Sequence, residues 1–230
     1  MKKLILCDQN NFDRESEEWN NLMYDKHPTP YSGLAGLIDI YRINQVIKYA
    51  NIQKNDRVLE IGCESGMLLK SLPVASEKVG VDISSNALKD AYSSTSNDNN
   101  QLYKYIQLDA ENNLPFEKGY FNVIICSEML EHVSNPEIVI KNICSISDSY
   151  TRIVITIPLE RSRVILKRIL CKMGIFKYIF RGIENDQSEW HIQCFSKKML
   201  NDITEKYFNV QNYKSILLIH FIQCLTLKND

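Results

Sequence analysis

Acidic side chains end four successive apolar segments of this sequence, a placement that suits ligand binding. Glu60 and Glu64 follow the first segment, Asp82 ends the second, Asp109 the third and Glu128 the fourth. Because ligands of parallel sheets bind at the carboxyl ends of the strands, we expect these side chains at one rim. Asp82 could accept hydrogen bonds from both ribose hydroxyls, and Asp109 one from an adenine amino group. The alternative is that both aspartates are helix N-caps.

The loop after the first segment carries two glycines, Gly62 and Gly66, which allow the backbone to approach a ligand closely. A dinucleotide fingerprint, G-x-G-x-x-G, requires glycine at positions 64 and 67, where this chain has Glu64 and Met67. The phosphate-loop pattern G-x-x-x-x-G-K-[ST] also fails from position 67 onward. The spacing therefore favours a nucleoside ligand that lacks phosphate.

Two histidines are candidates for the general base that a hydroxyl or ammonium acceptor would require. His132 follows the fourth apolar segment, and Glu128, four residues earlier, would share its face on a helical turn. His191 is the second candidate, in a segment expected to cover the site. Both have structural alternatives, since His132 could cap the turn and His191 could pack beside Trp190. His191 and Cys194 have metal-like spacing, but no second pair accompanies them, so we predict no metal site.

Strand-like and helix-like segments alternate over residues 57–158, which predicts a parallel sheet with helices on both faces. The tail differs, because a capped helix at 196–207 is followed by two strand-like segments joined by only a turn. Such a hairpin implies an antiparallel strand at one edge of the sheet or inserted in it. The alternating region contains five predicted strands, at 57–61, 78–82, 103–109, 121–127 and 151–158.

The composition is that of one globular α/β domain of ordinary size. The chain has 230 residues, 44% of them hydrophobic, and a formal net charge of -1. The near-neutral charge argues against a nucleic-acid partner, and scattered cysteines without a CxxC pair suit a reducing cytoplasmic location. No apolar stretch approaches the roughly 20 residues of a transmembrane helix. We interpret residues 1–36 as an N-terminal arm and 37–230 as a single domain.

Four stretches carry a resemblance to a known family: VLEIGCESG (58–66), VGVDIS (79–84), IQLDAENNLPFEKGYFNVIICSEMLEHV (106–133) and WHIQCFSKKML (190–200). Through them the chain resembles the class I S-adenosylmethionine-dependent methyltransferases of the small-molecule branch. The resemblance implies a Rossmann-like, doubly wound α/β sheet of seven strands with an antiparallel C-terminal strand and a helical lid inserted at 160–195. It also implies methyl transfer from S-adenosylmethionine to an oxygen or nitrogen of a small molecule, with sugars and natural-product intermediates as first candidates.

The resemblance also assigns cofactor contacts along the rim. Asp82 would bind the ribose, and Asp109 with Ala110 would frame the adenine, while Glu60 and the glycines would shape the methionine side. Besides Asp82, Asp109 and Ala110, the predicted cofactor-binding residues lie in the glycine loop or beside the strand ends: Glu60, Gly62, Cys63, Gly66, Ile83 and Ser127.

Glu64 departs from the family pattern, which usually has glycine at this position of the loop. If the position requires a positive φ, a non-glycine residue costs about 1–2 kcal/mol. A carboxylate here would repel the carboxylate group of the cofactor but attract its ammonium group. The loop is then either a tolerated variant or the mark of a catalytically weakened methyltransferase-like binding module. A nicotinamide-dependent oxidoreductase is a further alternative, against which the glycine spacing argues.

The stretch 160–182 holds seven basic residues among apolar ones, where the family inserts substrate-binding lids. A basic amphipathic helix can meet an anionic membrane or an acidic substrate, which favours an anionic or lipid-linked acceptor. The alternative is a packed helix with a solvated cationic face. The sequence leaves the oligomeric state open.

Overall fold

The computed structural model describes residues 3–6, 14–26, 33–174, 192–216 and 220–228. The strands of these residues, in chain order, are β1 (Lys3–Ile5), β2 (Arg57–Ile61), β3 (Glu77–Asp82), β4 (Tyr103–Gln107), β5 (Val123–Ser127), β6 (Arg152–Pro158), β7 (Phe208–Ile216) and β8 (His220–Leu227). Their helices are α1 (Arg14–Lys26), α2 (Gly33–Ala50), α3 (Met67–Ser71), α4 (Ser85–Ser94), α5 (Pro136–Ile146), α6 (Glu160–Lys172) and α7 (Lys197–Thr204), with a 3-10 turn at Leu130–His132.

All these strands belong to one sheet, in the order β1-β4-β3-β2-β5-β6-β8-β7. Strands β1 to β6 pair in parallel, and the strand order reverses between β2 and β5. β8 is antiparallel to both β6 and β7, between which it is inserted. The prediction of a doubly wound sheet with an antiparallel C-terminal strand is confirmed. Its ligand rim lies where β2 to β6 end.

Apolar side chains fill both faces of the sheet because successive residues of a strand point to opposite sides. Leu59 and Ile61 pack on the face covered by α5 and α7. Val58 packs on the opposite face, against α2, α3 and α4. Glu60 alternates with Leu59 and Ile61, so it points to the same face as Val58, toward α2.

The predicted count of seven strands is wrong, because the described residues form eight. The additional strand, β1, pairs in parallel with β4, placing Leu4 opposite Tyr105. Leu4 packs against the apolar cluster that contains Tyr103 and Tyr105. A segment of three residues is too short to show the alternating pattern of a strand. β1 could therefore not be predicted from the sequence, and it forms by pairing with the otherwise open edge of β4.

Within the predicted N-terminal arm, α1 is attached to the sheet domain by polar contacts with α4 and its cap. The hydroxyl of Tyr24 donates to Asp90 Oδ2 at 2.8 Å, and Ser84 Oγ donates to Asn21 Oδ1 at 2.7 Å. The boundaries 1–36 and 37–230 stay predictions. The same holds for the insertion at 160–195, of which residues 175–191, including His191, lie outside the described residues.

Candidate functional site

The glycine loop turns through two left-handed glycines at the end of β2. Gly62 has φ 73° and Gly66 has φ 74°, a region that favours glycine. A Cβ on Gly62 would lie 2.5 Å from Met129 Cγ, so the loop also requires the space that the missing side chain leaves. Gly66 then begins α3, and its N–H donates to the Cys63 carbonyl at 2.8 Å. The result is a tight backbone cradle above β2.

Glu64 lies between the two glycines in a left-handed conformation, with φ 46°. Its backbone N–H donates to Asp82 Oδ2 at 2.8 Å. A left-handed non-glycine residue costs about 1–2 kcal/mol, and a hydrogen bond to a charged group contributes about 1.5–3 kcal/mol in return. The position therefore does adopt the conformation that favours glycine, and the bond to Asp82 holds it there.

Asp82 ends β3, and backbone amides fix its carboxylate. Oδ2 accepts from Glu64 and Oδ1 accepts from the Ser84 N–H at 2.9 Å. Burial raises the pKa of Asp82, although these hydrogen bonds lower it. The N-cap of α4 is Ser84, whose Oγ accepts from the Ala87 N–H. The alternative reading of Asp82 as a helix cap is therefore wrong, and its carboxylate is held at the rim beside the glycine loop.

Asp109 and Ala110 follow β4 on the next stretch of the rim. Asp109 Oδ1 accepts from the Glu111 N–H at 2.8 Å, which closes a turn and does not cap a helix. The Asn142 side chain on α5 donates to the Ala110 carbonyl at 2.9 Å. Ile83 is tied to the same region, because Gln107 Nε2 donates to its carbonyl at 3.0 Å.

Cys63 contributes only its backbone to the loop surface. Its side chain is buried, and its Sγ would lie 2.7 Å from a Cβ added to Gly80 in β3. Burial raises the pKa of the Cys63 thiol well above its usual value. This thiol is therefore a packing group, and a ligand contact from Cys63 would have to come from its main chain.

Glu60 is the most deeply buried acid of the loop region, with 3% of its surface exposed. Its carboxylate accepts a hydrogen bond from the Leu69 backbone, but Oε2 has no hydrogen-bond partner within the described ranges. Burial raises the pKa of Glu60 well above its usual range, an effect that the positive charge of Arg42 opposes. An unpartnered buried oxygen of this kind marks a place for a donor from a ligand.

Glu60→Gln should stabilise the ligand-free protein at neutral pH. Burial raises the pKa of Glu60 above 4.5 in the folded state. At pH values between 4.5 and this raised pKa, the folded protein keeps a proton on Glu60 that the unfolded chain has lost. Stability therefore falls as the pH rises from about 4.5 through the folded-state pKa, and glutamine removes this loss. We expect a gain of about 1–3 kcal/mol in the free energy of unfolding.

The measurement is urea denaturation at pH 5 and pH 8. The exposed Glu117 offers the matched control, because Glu117→Gln changes the same chemical group outside the site. A difference between Glu60→Gln and the wild type that does not grow with pH would contradict this prediction.

Beyond β5, hydroxyls and a cation converge on Glu128. Arg42 Nη1 donates to Ser127 Oγ at 2.6 Å, and Ser127 Oγ lies 2.9 Å from Thr156 Oγ1. Thr156 Oγ1 donates to Glu128 Oε1 at 2.8 Å, and His220 Nε2 lies 3.3 Å from Glu128 Oε2. The network joins α2, β5, β6 and β8 at a single rim.

The predicted helical turn that would place Glu128 and His132 on one face is wrong in its start. Glu128 is left-handed, with φ 53°, and the 3-10 turn begins only at Leu130. Thr156 and His220 therefore position the Glu128 carboxylate.

His132 ends the turn, with Nε2 3.8 Å from Glu131 Oε1. The Glu131 carbonyl accepts from the N–H groups of residues 192 and 193, which anchors the chain just after His191.

Three residues of this site, Arg42, Thr156 and His220, are missing from the sequence-based set. Arg42 precedes the alternating region, on α2, and could have been found only by pairing that helix with β5. His220 lies in the tail hairpin, and the antiparallel insertion of β8 brings its first residue to the rim. The inferred hairpin was the signal that could have indicated this.

The profile of a family described as a methyltransferase domain matches residues 39–213. Two curated relatives are named ubiquinone biosynthesis O-methyltransferase. The one from Aliivibrio fischeri (strain MJ11) is 32% identical over 106 residues, covering 46% of this chain and 45% of that protein. The one from Nitrosomonas europaea is 33% identical over 108 residues, covering 46% of this chain and 45% of that protein. The chain spans about half the length of the curated relatives it matches.

Among solved structures, the N-methyltransferase NodS from Bradyrhizobium japonicum WM9, in complex with S-adenosyl-L-homocysteine, has a similar fold. It superposes with a TM-score of 0.66 at 13% sequence identity, covering 94% of this chain and 100% of that chain. This likeness concerns the fold alone. None of the helices in the described ranges is long and apolar enough to cross a membrane.

Proposed function

The chain belongs to the class I S-adenosylmethionine-dependent methyltransferases, and we propose that it transfers a methyl group from that cofactor to an oxygen or nitrogen of a small molecule. One observation carries the proposal. Three acidic residues, Glu60, Glu64 and Asp82, surround the glycine loop: burial raises the pKa of Glu60 most, and the negative charges of Asp82 and Glu64 raise it further. Such a cluster attracts the positive charge of a sulfonium nucleoside and repels the pyrophosphate of a dinucleotide.

The cradle fits this cofactor in both shape and chemistry. Gly62 and Gly66 are both left-handed, so the loop turns tightly at the end of β2, and Met129 packs against Gly62 where a side chain would otherwise lie. The unpartnered Oε2 of Glu60 suits the ammonium group of the methionine part, and the fixed carboxylate of Asp82 suits the ribose hydroxyls. We assign the adenine to the neighbourhood of Asp109 and Ala110, in the turn that follows β4.

Arg42 is the residue that we assign to the cofactor carboxylate. Its guanidinium lies between the site of Glu60, whose pKa it lowers, and Ser127, to which it donates. Nε of Arg42 is buried, lies 3.8 Å from Asp39 Oδ1 and forms no hydrogen bond with the part of the chain that the structure describes, so the guanidinium keeps donor capacity for a carboxylate.

S-adenosylmethionine supplies a methyl group that its sulfonium already activates. The residues of this chain therefore mainly have to bind and orient, since alignment supplies much of the rate of such a displacement. The rim between Glu128 and Thr156, beyond the cofactor loop, is the place that we assign to the acceptor. A hydroxyl or ammonium acceptor must also lose a proton, which requires a base at this rim.

For the acceptor we propose an anionic or lipid-linked small molecule, with sugars and natural-product intermediates as candidates. α6 begins two residues after β6 ends, so it starts at the acceptor side of the rim. Apolar side chains on α6 are exposed, among them Ile165 at 57% and Ile169 at 48%. Basic residues alternate with them, and this combination suits an anionic amphiphile or an anionic lipid surface.

The protein should co-sediment with vesicles that contain phosphatidylglycerol and not with vesicles of phosphatidylcholine alone. Because the attraction is partly electrostatic, binding should weaken as salt is raised. Replacing Ile165 and Ile169 by glutamate should abolish binding without unfolding the protein, since both side chains are exposed. Tyr150→Glu is the matched control, because Tyr150 is 86% exposed in the turn before β6, at the end of the strands opposite the rim. Equal binding to both kinds of vesicle would argue against the lipid-linked acceptor.

The proposed function is tested in two steps. Calorimetry first measures binding of S-adenosylhomocysteine, with NADH as a competitor that should have no effect. A labelled methyl-transfer assay then screens a panel of phenols, sugars and amines. Binding without transfer to any member of the panel would favour the weakened binding module. Competition by NADH would favour the oxidoreductase.

A further inference from the structure

His220 reaches the acceptor side of the rim through the topology of the sheet. It is the first residue of β8 and pairs with Pro158, the last residue of β6. Since β8 is antiparallel, its first residue lies where the parallel strands end. His220 alternates with Phe221, so its side chain points to the face covered by α2, as Glu60 does. Only 5% of its surface is exposed.

The hydrogen-bond network fixes which imidazole nitrogen carries the proton. The single hydroxyl proton of Thr156 goes to Glu128 Oε1, so the Ser127 hydroxyl must donate to Thr156, and Arg42 donates to Ser127. In this series of hydrogen bonds each group donates toward the Glu128 carboxylate, which can only accept. His220 Nε2, 3.3 Å from Oε2, is then a donor as well. The neutral ring keeps its lone pair on Nδ1.

Nδ1 of His220 is buried, and none of the residues that the structure describes forms a hydrogen bond with it. Leaving a buried acceptor without a donor costs about 1–3 kcal/mol, and native proteins rarely accept that cost without a function. The backbone at Glu128 is also strained, with φ 53°, and such strain clusters at functional sites. Two independent features therefore mark the pair Glu128 and His220.

We propose that His220 is the general base of the methyl transfer and that Glu128 is its positioning residue. The inference rests on the proposed function. Nδ1 takes the proton of the acceptor O–H or N–H, and the acceptor lone pair forms the new bond to the methyl carbon. The carbon–sulfur bond of the cofactor breaks, and its electron pair stays on sulfur. The imidazolium that results lies beside the Glu128 carboxylate until it returns the proton to water.

The charged groups that face His220 support this cycle. From the end of β5 the facing group is Glu128, and from α2 it is Arg42, which lies 3.8 Å from Asp39 and acts through Ser127. The strand neighbours are uncharged, Pro158 on β6 and Ile216 on β7. A carboxylate on one side of the ring stabilises the imidazolium, as in other carboxylate–histidine pairs.

The test compares wild type with His220→Gln and Glu128→Gln, using the panel member that gives the highest turnover. His220→Gln keeps an amide that can donate to Glu128 but removes the base, so turnover should fall about 10²–10⁴-fold. Affinity for S-adenosylhomocysteine should stay unchanged. Thr226→Val is the matched control, because Thr226 lies near the opposite end of the same strand.

A second readout does not depend on turnover. Nitrogen-15 NMR of histidine-labelled protein should show His220 protonated at Nε2 and unprotonated at Nδ1, and Glu128→Gln should weaken this preference. A proton on Nδ1 in the wild type overturns the inference, as does full turnover by a folded His220→Gln. If the wild type binds S-adenosylhomocysteine but methylates no panel member, the proposed function fails and this inference fails with it.

Discussion

Replacing Asp82 with alanine is expected to weaken binding of S-adenosylhomocysteine about 10²–10⁴-fold, because each hydrogen bond from a ribose hydroxyl to a carboxylate contributes about 1.5–3 kcal/mol. The same carboxylate holds the backbone of Glu64 and Ser84, so the loop and the start of α4 lose their common anchor. Isothermal titration calorimetry measures the affinity directly. Unchanged affinity would remove Asp82 from the cofactor site.

A loss of affinity has to be separated from a loss of folding. Thermal melting of the Asp82→Ala protein provides that separation, and Asp202→Ala on α7 is the control, since Asp202 is exposed and lies outside the rim. Asp82→Asn is the sharper variant. An amide keeps the size of the side chain, but its NH2 group would face a backbone N–H of Glu64 or Ser84. We expect it to lose affinity as well.

Gly62→Ala is expected to lower the free energy of unfolding by about 2–5 kcal/mol, the sum of left-handed strain and overpacking. The alanine Cβ would lie 2.5 Å from Met129 Cγ and 2.8 Å from Met129 Cβ. Met129 follows Glu128 directly, so a shift of its backbone would also disturb the acceptor side of the rim. Urea denaturation and binding of S-adenosylhomocysteine should both report the damage.

Gly174 provides a control that isolates the backbone contribution. It has φ 69°, and Gly62 has φ 73°, but an added Cβ on Gly174 would meet no atom of the described residues within 4 Å. Gly174→Ala should therefore cost only the strain of about 1–2 kcal/mol. Combining Gly62→Ala with Met129→Ala should recover part of the loss, and a double-mutant cycle measures the coupling. Equal costs at the two glycines would contradict the steric argument.

The residues that we assign to the cofactor could be predicted from the sequence because they lie close together along the chain. Asp82 directly ends a buried strand, and the two glycines flank a turn whose conformation depends on a few bonds. Glu64 could be recognised as unusual, but its bond to Asp82, eighteen positions away, is what explains how the chain tolerates it. The fold class followed from the alternation of strands and helices, whereas β1 had too few residues to leave a pattern.

The acceptor side could not be predicted because its residues meet only through distant pairings. Arg42 belongs to a helix that precedes the sheet, Thr156 to β6 and His220 to β8. Each looks ordinary in its own segment, because a single polar residue within a helix or a strand is common. The expected partnership of Glu128 with His132 used helical spacing, and the backbone departs from a helix at Glu128 itself.

Because β8 is inserted between two strands, the register of its pairing decides which of its side chains faces the rim. β8 pairs through antiparallel hydrogen bonds with β6 on one side and with β7 on the other, where β7 has a bulge between Val210 and Asn212. Side chains alternate, so a slip by one residue would turn His220 to the far face and bring Phe221 toward Glu128. Two ladders would have to fail together for that to happen. With the role that we propose for His220, an insertion or deletion within β8 would therefore remove the base as well as disturb both ladders.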